Sequence, residues 1–359
     1  MLIRNRKWTS IWLDGEDVKI IDQRWLPHKL EVATLDKLDD FFTAIREMWV
    51  RGAPLIGVTA AFGVARHMRI DPSDQGLEMS CNHLEKARPT AVNLQIGIDY
   101  MKRALRDLEP SLRAAAAMMA ASKFRALEIE ISESIGVNGA ALIRAIYEEM
   151  ARPVSILTHC NAGWLATVDW GTATAPIYYA AKDGIPVHVY VDETRPRNQG
   201  AQLTAWELGE NGIDYELIVD NAGGHLMQHG MVDMVIVGTD RTSSNGDVCN
   251  KIGTYLKALA AKDNNIPFYV ALPSTTIDWN IENGITDIPI EERSPDEVHL
   301  IQGLDHLGQI NTVRISPIGA KARNPAFDVT PGHMITGLIT EKGVCNANAA
   351  SLSATFSKY

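Results

Sequence analysis

The strongest constraint on the fold is the repeated alternation of short apolar segments with helical segments after about residue 150. Segments between the apolar runs, such as Gly200–Gly209 and Asn250–Lys262, suit helices. Because fully apolar strands joined by helices are typical of parallel sheets covered on both faces, the pattern predicts a doubly wound α/β domain. The predicted strands are Val154–Thr158, Val187–Val191, Tyr215–Val219, Met234–Val237 and Phe268–Leu272.

The first part of the chain lacks this alternation and has a hairpin followed by helical segments. A hairpin is predicted around Asp14-Gly15, with a third strand at Leu30–Leu35, and residues 35–49 have the apolar spacing of an amphipathic helix. More helices are predicted after Pro54 and at Ile96–Leu108, Leu112–Glu128 and Gly139–Met150. The sequence therefore predicts a smaller N-terminal domain, residues 1–130, of helices with a short antiparallel sheet, and a doubly wound domain over residues 131–359.

Charge and composition limit the partners. The 359 residues carry a formal net charge of −10, which argues against non-specific binding to nucleic acid. The chain shows neither the ~18 consecutive apolar residues of a membrane span nor an apolar signal segment near its start. Because no CxxC pair occurs, we expect four reduced thiols and a cytoplasmic protein. The cysteines are Cys81, Cys160, Cys249 and Cys345.

Polar residues follow the predicted strands at the point where each strand ends. Ligands of open α/β sheets bind beyond the carboxyl ends of the strands, so these residues are expected to share one crevice. Cys160 and Asp240 follow two of the strands closely. A thiol with a depressed pKa can act as a base, and a carboxylic acid in apolar surroundings can donate a proton. We therefore interpret them as an acid–base pair.

A phosphate site is predicted from cationic residues and a helix start. Arg51-Gly52-Ala53-Pro54 precedes a helix, and Gly52 lets backbone N–H groups approach an anion closely. Arg88 and Lys251 add positive charge. No GxGxxG or GxxxxGK[ST] motif follows the first strand. His159 lacks partners at metal-ligand spacing, so we expect His159 to be a hydrogen-bonded structural residue. We expect neither a cofactor nor a metal.

Six long motifs resemble the methylthioribose-1-phosphate isomerases, a family related to the regulatory subunits of the eukaryotic translation-initiation guanine-nucleotide exchange factor. The resemblance runs from Arg51 to Pro331 and so covers most of the chain. The motifs are RGAPLIGVTAAFGVA from Arg51, RPTAVNL from Arg88, THCNAGWLAT from Thr158, DETRPRNQGAQLTAWEL from Asp192, VGTDRTSSNGDVCNKIGTY from Val237 and NPAFDVTP from Asn324.

The resemblance implies a Rossmann-like C-terminal domain and a cytoplasmic homodimer that acts in methionine salvage without a cofactor. It implies isomerisation of an aldose 1-phosphate to the ketose, with Cys160 and Asp240 as the catalytic residues. The residues that it implies for binding the phosphorylated sugar are Arg51, Gly52, Ala53, Arg88, Gln199, Asn250 and Lys251.

Two alternatives stay open at this point. The first is an isomerase of a related sugar, 5-deoxyribose 1-phosphate or ribose 1,5-bisphosphate, which would use the same Cys160 and Asp240. The apolar or cationic lining of the pocket for the 5-substituent distinguishes these sugars. The second is a non-catalytic regulatory subunit that binds a sugar phosphate or nucleotide, against which the intact acid–base pair argues.

Overall fold

The N-terminal part combines small antiparallel sheets with packed helices. The computed structural model describes residues 1–89 and 91–356. The strands are β1 (Leu2–Ile3), β2 (Arg6–Lys7), β3 (Ile11–Asp14), β4 (Asp17–Ile21) and β5 (Val32–Leu35). The helices are α1 (Leu38–Arg46), α2 (Ala53–His67), α3 (Asp74–Glu85), α4 (Val92–Leu105) and α5 (Pro110–Met150).

The predicted hairpin and third strand are confirmed. β3, β4 and β5 form one antiparallel sheet, and Gly15 occupies the turn with φ +62°. Val18 and Ile20 of β4 are fully buried against the helices. The almost entirely apolar helix α2 lies at the centre of this part, because its neighbours α1, α4 and α5 all pack on it.

The C-terminal part contains the predicted parallel sheet, a smaller four-stranded sheet and a two-stranded sheet formed by Leu300–Leu304 and Ile310–Arg314. Its strands are β6 (Val154–Thr158), β7 (Val187–Asp192), β8 (Asp214–Ile218), β9 (Met234–Val237), β10 (Arg241–Ser243), β11 (Val248–Lys251), β12 (Phe268–Ala271), β13 (Ile277–Asp278), β14 (Leu300–Leu304), β15 (Ile310–Arg314), β16 (Phe327–Thr330), β17 (Gly337–Thr340) and β18 (Gly343–Cys345). Its helices are α6 (Ala175–Lys182), α7 (Ala205–Glu210), α8 (Ala222–Gln228), α9 (Thr254–Asp263), α10 (Gly284–Asp287), α11 (Asp296–His299) and α12 (Ala349–Phe356).

The main sheet has the strand order of a Rossmann-like fold. Its seven strands run β18-β17-β12-β9-β6-β7-β8, and all neighbours are parallel except β17 and β18. The chain moves outward from β6 to β8, then returns to the other side of β6 with β9. This reversal is the topological switch point of a doubly wound sheet, and it confirms the predicted fold class.

Helix α5 corrects the prediction of two separate helices at Leu112–Glu128 and Gly139–Met150. It is one helix of 41 residues, and its first half packs in the N-terminal core whereas its second half packs against the main sheet. Gly136 and Gly139 allow close packing on α6: a Cβ at Gly139 would lie 2.3 Å from Pro176 Cγ. The predicted domain boundary at residue 130 lies inside this helix and stays a prediction.

Three further elements differ from the sequence prediction. Asn250 and Lys251 lie on strand β11 rather than in a helix, and the helix begins only at Thr254. Helix α3 was not predicted from its mixed polar sequence. The four-stranded sheet of β10, β11, β13 and β16 was not predicted. Its strands are short and irregular in sequence, so they show no alternation of apolar and polar residues.

Replacement of Gly139 by alanine tests the packing of α5 on α6. Alanine favours a helix by up to about 1 kcal/mol, but its Cβ would overlap the rigid Pro176 ring. We expect Gly139→Ala to lower the free energy of unfolding by about 1–3 kcal/mol, the usual cost of overpacking. Urea unfolding measures this change.

The matched control is Gly224→Ala in α8, where a Cβ would lie an ordinary 3.7 Å from Ala260 Cβ. It should be neutral or slightly stabilising. A Gly139→Ala protein as stable as the wild type would contradict the steric role of this glycine.

Candidate active site

The candidate site lies where the strand order reverses. β6 and β9 are neighbours in the sheet, and Cys160 follows β6 whereas Asp240 follows β9. The carboxyl ends of these two parallel strands therefore place both residues at the crevice of the switch point. The structure thus brings the two proposed catalytic residues to one edge of the sheet.

The backbone of Cys160 is held in a tight turn. Cys160 has φ +67°, in the left-handed region that a residue with a side chain rarely adopts. Its N–H donates to Thr194 Oγ1 at 2.9 Å, and its carbonyl accepts from Thr204 Oγ1 at 2.7 Å. The thiol is 6% exposed. Two threonines from the β7–α7 connection therefore fix the orientation of the thiol.

Arg51 reaches this turn from the N-terminal part. Its Nη1 donates to Asn161 Oδ1 at 2.7 Å, and its Nη2 donates to the Asn161 carbonyl at 3.1 Å. Nη2 also lies 3.8 Å from Cys160 Sγ. Gly52 has φ +94°, and a Cβ there would lie 2.3 Å from the Ala166 carbonyl oxygen. Only glycine allows this approach, which places the start of α2, at Ala53, beside the site.

Three cations surround the two candidate catalytic residues. Burial lowers the pKa of Lys251, whereas the negative charges of Cys160 and Asp240 raise it. Burial likewise lowers the pKa of Arg88, and Asp240 opposes this shift. Arg51 and Lys251 act to lower the pKa of the Cys160 thiol, but burial is the larger effect and raises it.

A narrow cavity lies between Arg88 and Asp240. Most of its other lining is apolar: Ala53, Ile56, Ala91, Val92, Ile288, Pro289 and Phe327, with Arg241, Cys249 and Glu291 completing it. Asp240 is half-buried there. Its surroundings are therefore only partly apolar, because cationic side chains share the cavity with the apolar ones.

Gln199 and Asn250 are placed less directly. Gln199 is 6% exposed and lines a second, more open cavity together with Arg51. Its Oε1 is buried without a hydrogen-bond partner in the described part of the chain. Asn250 precedes Lys251 on β11, and its Nδ2 donates to Thr254 Oγ1 at 3.0 Å.

His159 forms hydrogen bonds in a buried network beneath the site, and its predicted structural role stays a prediction. Nδ1 lies 2.8 Å from Asp192 Oδ2, and Nε2 lies 2.8 Å from the Ile252 carbonyl. His159, Asp192 and Asp220 are close enough together to hold a metal ion. Lys257 Nζ lies 3.1 Å from Asp192 Oδ2 and supplies positive charge there, whereas Asp192 Oδ1 is buried without a hydrogen-bond partner among the described residues.

Sequence reasoning missed Asn161, Thr194, Thr204 and Glu207. Asn161 is the hydrogen-bond partner of Arg51, and the buried Glu207 carboxylate accepts from Asn161 Nδ2. The THCNAG motif contained Asn161 but gave no sign of its partner. Glu207 had one signal, since it is a carboxylate within a segment predicted to be a buried helix.

The comparisons with known proteins agree over nearly the whole chain. The model of the initiation factor 2 subunit family matches residues 49–347. A methylthioribose-1-phosphate isomerase of Rhizobium meliloti (strain 1021) is 61% identical, with 99% of each chain covered. One of Methylocella silvestris is 58% identical, with 99% of this chain and 98% of the relative covered.

Two solved structures share the fold. The 5-methylthioribose 1-phosphate isomerase from Pyrococcus horikoshii OT3 is 37% identical, with a TM-score of 0.86 and with 99% of this chain and 97% of that chain covered. The translation initiation factor eIF-2B, subunit delta, from A. fulgidus is 38% identical, with a TM-score of 0.82 and with 98% and 100% covered.

The described helices include none with the length and apolar character needed to cross a membrane. The family match spans more than half of the chain, and the relatives above 50% identity cover almost all of it. The chain therefore belongs to the initiation factor 2 subunit family and, within it, to the methylthioribose-1-phosphate isomerases.

Proposed function

We propose that this protein converts 5-methylthioribose 1-phosphate into 5-methylthioribulose 1-phosphate in methionine salvage. The observation that carries the proposal is the pairing of Cys160 with Asp240 at the switch point, surrounded by Arg51, Arg88 and Lys251. A regulatory subunit that only binds a ligand has no need of an acid–base pair. We also propose that the protein acts in the cytoplasm as a homodimer and without a cofactor.

The cations are proposed to hold the phosphate. Arg51, Arg88 and Lys251 supply charge, and the backbone N–H groups of Gly52 and Ala53 at the start of α2 supply donors. Gln199 and Asn250 are proposed to bind the sugar, and the unpartnered Gln199 Oε1 suits a sugar hydroxyl donor.

The reaction must open the ring while the phosphate stays attached. The phosphate on the anomeric carbon prevents spontaneous opening to a free aldehyde. Asp240 is proposed to protonate the ring oxygen as the bond from that oxygen to C1 breaks.

Two routes complete the shift of hydrogen from C2 to C1. In a proton-transfer route, Cys160 as thiolate removes the C2 proton and an enediol-type intermediate forms. The Cys160 thiol then returns a proton to C1, and the C2 hydroxyl loses its proton to give the ketose. In a hydride route, the C2 hydrogen moves to C1 with its electron pair, and Cys160 handles the C2 hydroxyl proton or stabilises the transition state. Solvent deuterium at C1 of the product excludes a pure hydride shift.

The narrow cavity supports a substrate with an apolar 5-substituent. Ile56, Val92 and Phe327 line it beside Asp240, and they suit a methylthio group. A second phosphate would require additional positive charge. The two cations that line it already face carboxylates: Arg88 lies 3.7 Å from Glu291 Oε2, and Arg241 lies 3.4 Å from Asp278 Oδ2. The lining therefore favours 5-methylthioribose 1-phosphate over ribose 1,5-bisphosphate.

Removal of either catalytic group should affect turnover more than binding. Cys160→Ser and Asp240→Asn keep the shape of the site but lose the thiol or the acidic proton. We expect kcat to fall at least about a hundredfold for each, the lower end for general acid–base catalysis, with KM little changed. Steady-state kinetics measures both constants, and a near-normal kcat in either variant would refute the assignment.

Removal of a phosphate cation should mainly weaken binding. Arg51→Met and Lys251→Met keep the apolar stem and delete the charge. Since a hydrogen bond to a charged group contributes about 1.5–3 kcal/mol, KM should rise roughly ten- to a hundredfold. Substrate titration measures this, with Arg46→Met, an exposed residue of α1, as the control. An unchanged KM would exclude the residue from the phosphate site.

A comparison of three sugars tests the substrate. We expect turnover of 5-methylthioribose 1-phosphate to exceed that of 5-deoxyribose 1-phosphate, because the larger apolar group buries more surface in the narrow cavity. Ribose 1,5-bisphosphate should be the poorest substrate. Product assays with equal concentrations of each sugar give the order. Tight binding of all three sugars without turnover would instead support the regulatory-subunit alternative.

A further inference from the structure

We propose that Glu207 is a positioning residue that acts through Asn161 to hold Arg51 beside the Cys160 thiol. The inference rests on the proposed function, because it gives Arg51 and Cys160 their roles. It assigns a purpose to a buried carboxylate that touches neither the thiol nor either of the two cavities described above.

The local backbone directs Glu207 towards the Cys160 turn. Residues Gly200–Thr204 form a π-helix, which continues into α7. Single π-turns often occur at functional sites. Thr204 and Glu207 are three residues apart and so share one face of the helix. Both side chains bond to the segment that follows β6: Thr204 to the Cys160 carbonyl, and Glu207 to residues 161–165.

The Glu207 carboxylate accepts hydrogen bonds from three donors of this segment. Oε1 accepts from the Leu165 N–H at 2.7 Å and from Asn161 Nδ2 at 3.2 Å, and Oε2 accepts from the Trp164 N–H at 3.1 Å. Glu207 is fully buried. Gly163 is necessary for this approach, because a Cβ there would lie 1.6 Å from Glu207 Oε2.

These bonds determine which end of the Asn161 amide faces Arg51. Since the carboxylate can only accept, it fixes the NH₂ end of Asn161, which also donates to Thr204 Oγ1 at 3.2 Å. The oxygen end then accepts from Arg51 Nη1 at 2.7 Å. With the amide flipped, two donors would face each other and Arg51 would lose this acceptor.

The charges around Glu207 are consistent with this role. Burial raises the pKa of Glu207, the donors of the 161–165 segment and the nearby positive charge of Arg51 lower it, and the net pKa is about 7. The carboxylate and the guanidinium therefore stabilise each other across Asn161. Arg51 in turn lowers the pKa of the Cys160 thiol.

The test is Glu207→Gln, which keeps the shape but gives one end of the side chain two N–H donors. The NH₂ group of the new glutamine must face at least one of the three N–H donors that now bond the carboxylate. This arrangement either loses a hydrogen bond or turns the Asn161 amide. We expect KM to rise about tenfold because the charge-assisted hydrogen bond to Arg51 is lost. We also expect slower alkylation of Cys160 by iodoacetamide and a higher pH midpoint of this reaction, because Arg51 no longer lowers the thiol pKa.

Alkylation at Cys160 is followed by mass spectrometry of the modified peptide, which separates it from the other three cysteines. Glu128→Gln is the matched control. Glu128 is also a buried carboxylate, 1% exposed, but it lies on α5 and neither oxygen has a hydrogen-bond partner within residues 1–89 and 91–356. This control should keep the wild-type KM and alkylation profile.

A double-mutant cycle with Asn161→Ala separates positioning from general stability. If Glu207 acts through Asn161, Glu207→Gln has no further effect on KM or alkylation once Asn161 is alanine. Additive effects would overturn the inference, as would a Glu207→Gln protein with wild-type values. If Glu207→Gln does not fold, Asn161→Ala alone must still raise KM and slow alkylation, and wild-type values there would overturn the inference.

The two proposals fail separately. If the wild type turns over none of the three sugars, the proposed function fails, while the alkylation shift still supports the link from Glu207 to Arg51 and Cys160. If the wild type is an active isomerase and Glu207→Gln alkylates like the wild type, only the inference about Glu207 fails.

Discussion

The reversal of strand order between β6 and β9 is the constraint on which the site depends. The connections that follow β6 and β9 run to opposite sides of this point in the sheet. No connecting helix of the described chain therefore covers the crevice beyond the carboxyl ends of these two strands. Cys160 and Asp240 occupy that crevice from neighbouring strands. The N-terminal part then closes the crevice by bringing in Arg51 at the start of α2, which reaches Cys160 and Asn161.

Buried positive charge accumulates at this crevice. Burial lowers the pKa of Arg88 and of Lys251, because removal of their charges from water costs free energy. Asp240 and Cys160 offset only part of that cost. A phosphate dianion would compensate the rest, so an acidic protein of net charge −10 can still bind an anion at one place. The local arrangement of charges, rather than their total, determines the ligand.

The sequence predicted the strands whose residues are mostly apolar. Val154–Thr158 and Met234–Val237 were predicted to the residue, because a mostly apolar run is typical of a strand buried on both faces. The prediction failed where packing between distant elements decides the structure. Residues 129–138 lay outside the predicted helices, but in α5 Gly136 and Gly139 allow contact with α6 and the helix is continuous. Asn161 and Glu207 were missed because they bond each other across 46 residues of sequence, and no local pattern reveals such a contact.

Several buried or half-buried polar groups near the site bond the backbone of the loops. A loop that follows a buried strand carries N–H and C=O groups without ladder partners, and these must be bonded when water is excluded. Glu207 and Thr204 bond such groups after β6, and Asp220 accepts from the N–H groups of Thr194 and Arg195 after β7. These residues therefore resemble catalytic residues in burial and in type, but they orient the loops. Cys160, Asp240 and the three cations are the groups that we propose act on the substrate.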